Sequence, residues 1–387
     1  MRTVLFTAHN RLSILHSGGE YFPALIEAID AARVEIYLET YIFSLDDVGT
    51  VVRDALKRAA SRGISVHVIT DWLGTGHVRG KMLADDLVSA GVEHHSFNPW
   101  FRHGIARTHR KICVVDGTVA FVGGINIISD YRNDDPDHDE LIAPRWDFAV
   151  RAEGPLVAHV QRIMQLQWLR TGRLGLISRI QRLREGRIRP GRVVENSGMA
   201  GFVVRDNLRN RRTIQRSYQR ALGLSRHSVY IANPYFAPAL RFCRALAHAV
   251  ERGVDVSILI GVGEFRVQDA VAQSFYRRLL SKGIRLYEYR KTQLHAKVAV
   301  IDDDWATIGS SNVDGISLFI NQEANVVVRD AAFARDLRTS IEAAIAESVE
   351  IRLEDFASRP WYKRWLYDAV FVVYRGLMRI VTLGDYT

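Results

Sequence analysis

THRKICVVDGTVAFVGGIN (108–126) and LHAKVAVIDDDWATIGSSN (294–312) align at a constant offset of 186 residues. Histidine falls on histidine (His109, His295), lysine on lysine (Lys111, Lys297), aspartate on aspartate (Asp116, Asp302) and asparagine on asparagine (Asn126, Asn312). One such match is compatible with chance on a buried strand. Two in register, each followed by its own glycine-to-asparagine turn, point to a duplication.

The repeat extends outward. IYLETYIF (36–43) is similar to VYIANPYF (229–236), and RGISVHVITD (62–71) to RGVDVSILIG (252–261), in the same order along each half. Each half predicts an amphipathic helix (FPALIEAIDAA; IQRSYQRALGL), a strand, and a second helix (VVRDALKRAASRG; RFCRALAHAVERG) closed by glycine. A further strand, another helix and two strands carrying the histidine motif follow. Alternating strands and helices predict an α/β fold: two similar mixed-sheet α/β/α domains related by a pseudo-two-fold axis. KICVVD and KVAVID, apolar without alternation, suit central strands buried on both faces. The expected division is 1–169 for the first domain, 170–195 for a basic linker ending near Pro190-Gly191, 196–345 for the second domain, and 346–387 for a tail.

Alternation along a strand puts the His and Lys of each motif on one face, so both can enter a single cavity. Two facing sets make a site rich in cationic and neutral donors. Lys111, Lys297, Asn126, Ser310 and Asn312 are groups suited to the non-bridging oxygens of a transferring phosphoryl group. One neutral imidazole can attack phosphorus while the other, protonated, serves the departing alkoxide and then the incoming alcohol or water. A histidine base needs a carboxylate to hold its tautomer. Glu323 follows His295 by 28 residues, and Asp147 holds the equivalent place in the first half after a ten-residue insertion around SDYRNDDPDH. Asp116 and Asp302 end their strands at a turn, where a turn-structuring role competes with direct chemistry. Lysine is a poor metal ligand beside histidine, and no HExxH or thiol spacing occurs among the thirteen histidines, so neither metal nor cofactor is expected. His94 and His95 are expected in a loop.

Composition bounds the partners. The 387 residues are 48% apolar, and two cysteines, Cys113 and Cys243, leave no disulfide framework, which favours a reducing compartment. The amino-terminal residues lack a signal-peptide pattern and no run reaches the ~18 apolar residues of a membrane span; a cytoplasmic-side, peripheral location is expected. The net charge of +9 is concentrated: residues 170–220 hold fourteen arginines, no lysine and three acids, a net +11. A basic patch of this kind suits a polyanionic surface, nucleic acid or anionic lipid. Read as a helix, 361–381 puts Arg364, Asp368, Arg375 and Arg379 on one face and Trp365, Leu366, Ala369, Val373, Leu377 and Ile380 on another. That pattern suits a helix lying in the headgroup region, in competition with packing on the protein's own core.

IYLETYIFSLDDVG, HRKICVVDGTVAFVGGIN, WDFAVRAEGP, IANPYFAP, LHAKVAVIDDDWATIGSSN and NQEANVV together resemble the phospholipase D superfamily and, within it, bacterial cardiolipin synthases, over nearly the whole chain. The resemblance implies a membrane-peripheral phosphatidyltransferase. One phosphatidylglycerol donates its phosphatidyl group to a histidine and a second accepts it, releasing glycerol. It supports His109, Lys111, Asn126, His295, Lys297 and Asn312 as the active site, with His109 favoured as nucleophile and His295 as general acid and base. The alternative is a nuclease of the same superfamily using the arginine belt; it gives no reason for the tail, and no nucleic-acid partner is expected.

Overall fold

The computed structural model describes residues 4–101, 104–133, 140–172, 198–207, 210–357 and 361–382. From residue 173 onward the expected basic linker falls outside the described residues.

Each half builds its own mixed sheet. The first has seven strands in the spatial order Arg11–His16, Phe148–Glu153, Val119–Gly123, Ile112–Val115, Glu35–Thr40, Ser65–Asp71 and Glu93–Phe97. The second repeats that order with Met199–Arg205, Glu323–Arg329, Trp305–Gly309, Val298–Ile301, Ser228–Asn233, Asp255–Gly261 and Arg285–Tyr289. Phe6–Thr7 and Val349–Ile351 are added at its two edges. Phe6 pairs with Gly201, so the first described strand of the chain belongs to the sheet of the second half.

The motif strands Ile112–Val115 and Val298–Ile301 are buried at every position and lie at the middle of their sheets. Each fully buried Val or Ile there contributes roughly 1.5–3 kcal/mol relative to exposure. The pairing matches in both halves: parallel on the side of the βα units, where helical crossovers connect the strands, and antiparallel on the hairpin side. Outer faces are covered by Ser17–Asp30 and Asp47–Ser61 in the first half and by Thr213–Leu224, Leu240–Glu251 and Arg266–Leu280 in the second. The inner faces share one apolar core with Pro155–Thr171 and Ala331–Ala346, and each of these two helices touches strands of both sheets.

Pseudo-two-fold symmetry shows in reciprocal backbone bonds between the halves. His109 N donates to Gln322 O at 2.9 Å, and its counterpart His295 N donates to Trp146 O at 3.0 Å. Isolated bridges pair Thr108 with Gln322 and Leu294 with Trp146, two contacts that exchange under the same operation.

Two expectations change. His94 and His95 lie in the edge strand Glu93–Phe97, not a loop: His94 Nε2 is 2.9 Å from Thr70 Oγ1, and His95 stacks on Trp168 at 3.8 Å between ring centroids. Helix Trp361–Val381 packs on Arg266–Leu280 through a stripe not singled out from sequence. Phe371 and Met378 are buried, Phe371 meets Phe275 edge-on, and Tyr374 Oη accepts from Gly315 N at 3.1 Å. Asp368, expected on a solvated face, pairs with Arg277 and Arg278. The apolar stripe of Trp365, Leu366, Val373, Leu377 and Ile380 stays exposed. Among the described residues no helix is long and apolar enough to cross a membrane.

Candidate active site

The segments that lead into the two motif strands meet at the seam between the halves. A cleft of about 570 Å³ opens at the seam and is lined by His109 and His295 together with Tyr41, Asn126 and Asn312. The histidines thus reach one cavity from segments far apart in sequence, whereas Lys111 and Lys297, expected to enter it beside them, are buried and are not among its lining residues.

The orienting carboxylates are exchanged between halves. Glu323, from the second half, lies 3.2 Å from His109 Nδ1, and Asp147, from the first, lies 2.6 Å from His295 Nδ1. A carboxylate only accepts, so each Nδ1 carries the proton and each Nε2 is left as the reacting nitrogen. Both residues stand among the expected site residues, but spacing within a half does not show that each serves the histidine of the other half. Ser310 O, 3.1 Å away, is a further acceptor for His109 Nδ1–H.

The lysines lie under the histidines. Lys111 Nζ donates to His109 O at 2.7 Å, and Lys297 Nζ donates to His295 O. Burial, together with the positive charge of Lys111 and Lys297, holds the His109 imidazole below its ordinary value, and Glu323 partly opposes this. A neutral imidazole is the form able to act as a nucleophile. Burial raises the carboxyl of Asp147, opposed by Lys297, Arg145 and Lys111.

Asn126 and Asn312 line the cleft, and Asn126 Oδ1 accepts from Ile42 N at 3.2 Å. Ser310 does not fit the phosphate role expected for it. It is fully buried, and its Oγ donates to Glu323 at 2.5 Å, so it fixes the carboxylate that fixes His109. Asp116 and Asp302 are likewise removed from the chemistry. They sit about 16 Å along their strands from the lysines, at 3.3 Å per residue. Asp116 accepts from the backbone N–H of Arg33, Val34 and Glu35, and Asp302 from those of Arg226, His227 and Ser228. Both adopt left-handed φ, of 53° and 51°, at the hairpin turns. Their matching place in the two repeats is therefore a turn that clamps the start of the neighbouring strand.

A polar layer supports His109 that the motif did not reveal. Thr108 Oγ1 donates to Glu39 Oε1 at 2.5 Å, and Thr108 N donates to Asp71 Oδ2 at 3.0 Å. Asp71 is itself paired with Arg107 at 2.7 Å. The Tyr41 ring stands 5.0 Å from His109 and 5.4 Å from Lys111 Nζ. Glu39, following the apolar run Ile36–Leu38 in IYLETYIF, was the available signal, since a carboxylate is rarely buried without partners. The second half has Ala232 at that position, opposite Leu294 in place of Thr108, so the support is one-sided.

Among the described residues no group of three or more His, Cys, Asp or Glu is arranged to hold a metal ion.

Residues 25–141 and 218–345 match the family model described as "Cardiolipin synthase, PLD-like domain". The chain is 36% identical over 345 residues to cardiolipin synthase B of Salmonella typhimurium, covering 87% of this chain and 80% of that protein. It is 30% identical over 362 residues to cardiolipin synthase 1 of Bacillus cereus, covering 91% and 70%. In fold it is similar to phosphatidylserine synthase of Haemophilus influenzae, with a TM-score of 0.73 at 14% identity, over 98% of this chain and 97% of that one. With the family model's two matches falling on the two halves that share this cleft, the chain belongs to the phospholipase D-like cardiolipin synthase family.

Proposed function

We propose that the protein is a phosphatidyltransferase that makes cardiolipin from two phosphatidylglycerol molecules. The observation that carries this reading is the pair of histidines in one cleft, each with Nδ1 held by a carboxylate and a lysine beneath it. In the first step Nε2 of neutral His109 attacks phosphorus, the bond from phosphorus to the glycerol oxygen breaks, and His295 gives that oxygen its proton. Glycerol leaves and a phosphatidyl–histidine remains. In the second step His295, now neutral, takes the proton from a glycerol hydroxyl of the second phosphatidylglycerol. That oxygen attacks phosphorus, the P–N bond breaks, and His109 is regenerated. Lys111, Lys297, Asn126 and Asn312 supply positive charge and donors to the oxygens where charge builds up.

The depressed basicity of His109 and its one-sided polar support favour His109 as nucleophile, with His295 as acid and base. The substrate's acyl chains bear on location. Moving one long chain from bilayer to water costs on the order of 10 kcal/mol, at ~0.8 kcal/mol per CH2, so the cleft works at a membrane surface, reached peripherally. The exposed apolar stripe of Trp361–Val381 supports this: Leu377 both lines the cleft and faces solvent. The arginine-rich segment that made a nucleic-acid partner arguable lies largely outside the described residues.

The test is to incubate purified protein with phosphatidylglycerol vesicles and, separately, with single-stranded DNA, both in EDTA. Cardiolipin and glycerol in equal amounts, with DNA intact, is the expected result; cut DNA and unaltered lipid would overturn the reading.

A further inference from the structure

We propose that the first-half lip of the cleft, formed by Leu73, Val78, Met82, Trp100 and Phe101, is a second lipid-docking surface, so that the active site is held to the bilayer from both halves of the protein. The inference rests on the proposed function and extends it to a surface separate from the tail helix.

All five side chains are exposed, from 47% for Phe101 to 69% for Val78. The aromatic members cluster, and the aliphatic ones adjoin that cluster in sequence. Trp72, next to the cleft-lining Leu73, packs on Trp100 at 5.1 Å and on Phe101 at 5.7 Å between ring centroids, and His77 packs on Trp100 at 5.1 Å. Val78 follows His77, and Met82 lies one helical turn further along His77–Ser89.

The backbone is built to present the rings. Asn98, Trp100 and Phe101 all adopt left-handed φ, of 48°, 56° and 54°. Non-glycine residues hold such conformations only where the surroundings impose them. Asn98 Nδ2 donates to Gly104 O and Ala106 O at 2.8 Å each, and the Arg107 guanidinium, tied to Asp71, lies 5.4 Å from the Phe101 ring. A strained segment serving internal packing would bury its aromatic rings; this one turns them outward.

Among possible occupants the lipid surface is favoured for three reasons. Leu73 belongs both to this patch and to the cleft, so the patch is continuous with the entry path of a diacyl substrate. Tryptophan and phenylalanine are side chains that settle at the headgroup boundary. Arg79, exposed between Val78 and Met82, adds a cation suited to anionic headgroups.

The experiment compares wild type with Trp100→Ser/Phe101→Ser and, independently, Val78→Asp/Met82→Asp. It measures sedimentation with phosphatidylglycerol–phosphatidylethanolamine vesicles, turnover on those vesicles, and turnover on a short-chain phosphatidylglycerol kept below its micelle concentration. Each pair should weaken vesicle binding about tenfold or more and raise the apparent KM on vesicles. Turnover on the monomeric lipid and the thermal unfolding temperature should stay near wild type. Wild-type vesicle binding by both variants would overturn the proposal, as would unchanged vesicle binding with loss of a dimer. If no form of the protein exchanges phosphatidyl groups while the variants still lose vesicle binding, the docking surface stands and the reaction assignment falls.

Discussion

In the proposed mechanism the chemistry turns on His109 and His295, and replacing either by alanine should lower turnover by more than ~10³-fold with the fold intact, because nucleophile and proton donor act as a unit. Single-turnover rates beside thermal unfolding check this. Near-normal exchange in either variant would contradict the roles. The exchanged carboxylates allow a finer test. Glu323→Gln leaves the shape but removes the charge that holds the His109 tautomer, and should cost about 10²–10⁴-fold. Its effect on pH is signed. Since burial and the lysines hold His109 below its ordinary value and Glu323 pulls it upward, the acidic limb of kcat/KM lies below the ordinary histidine value of about 6.5. In Glu323→Gln it should move lower still; a shift upward would refute the electrostatic account. The histidines and lysines stood out in sequence because two copies in register mark them, and the carboxylates because each occupies the equivalent place in its half once the ten-residue insertion is allowed for. The pairing of carboxylate to histidine was not, since it depends on how the halves face one another. Ser310 was misread because its hydroxyl turns toward Glu323 rather than the cleft.

The turns and helices test what the repeat encodes besides chemistry. Asp116 and Asp302 each accept from the backbone amides that open a neighbouring strand. Asp116→Ala should therefore destabilise the fold by about 1–3 kcal/mol, seen in urea unfolding, while per-molecule activity of the folded enzyme is kept. Loss of activity at unchanged stability would return Asp116 to the catalytic set. Gly124, the counterpart of Ser310, approaches Asp147 so closely that a Cβ would lie 2.3 Å from its carboxylate oxygen. Gly124→Ala should displace Asp147 from His295 and depress turnover more than stability. The succession of strands and helices along each half was readable from the sequence, because buried central strands and glycine-closed helices leave strong local signals, whereas the spatial order of the strands came only with the structure. The docked stripe of the tail helix was not. Phe371, Tyr374 and Met378 differ in no local respect from the exposed apolar residues beside them, and only the neighbouring helix Arg266–Leu280 decides which stripe is covered.

For the molecule as a whole, the duplication makes one active site from two halves. Neither half is complete alone, because each histidine depends on a carboxylate from the other. In the proposed mechanism the lysines beneath the histidines stabilise the developing charge, so turnover should persist after dialysis against EDTA; a full loss restored only by one divalent ion would contradict this. The most direct test of the shared, two-histidine site is to trap its intermediate. Wild-type protein mixed with short-chain phosphatidylglycerol is quenched in base, where the P–N bond survives, then digested and read by mass spectrometry. The predicted result is a phosphatidyl adduct on His109 that is absent from Glu323→Gln quenched at the same time; an adduct on His295, or product formation with no histidine adduct at any time, would contradict it.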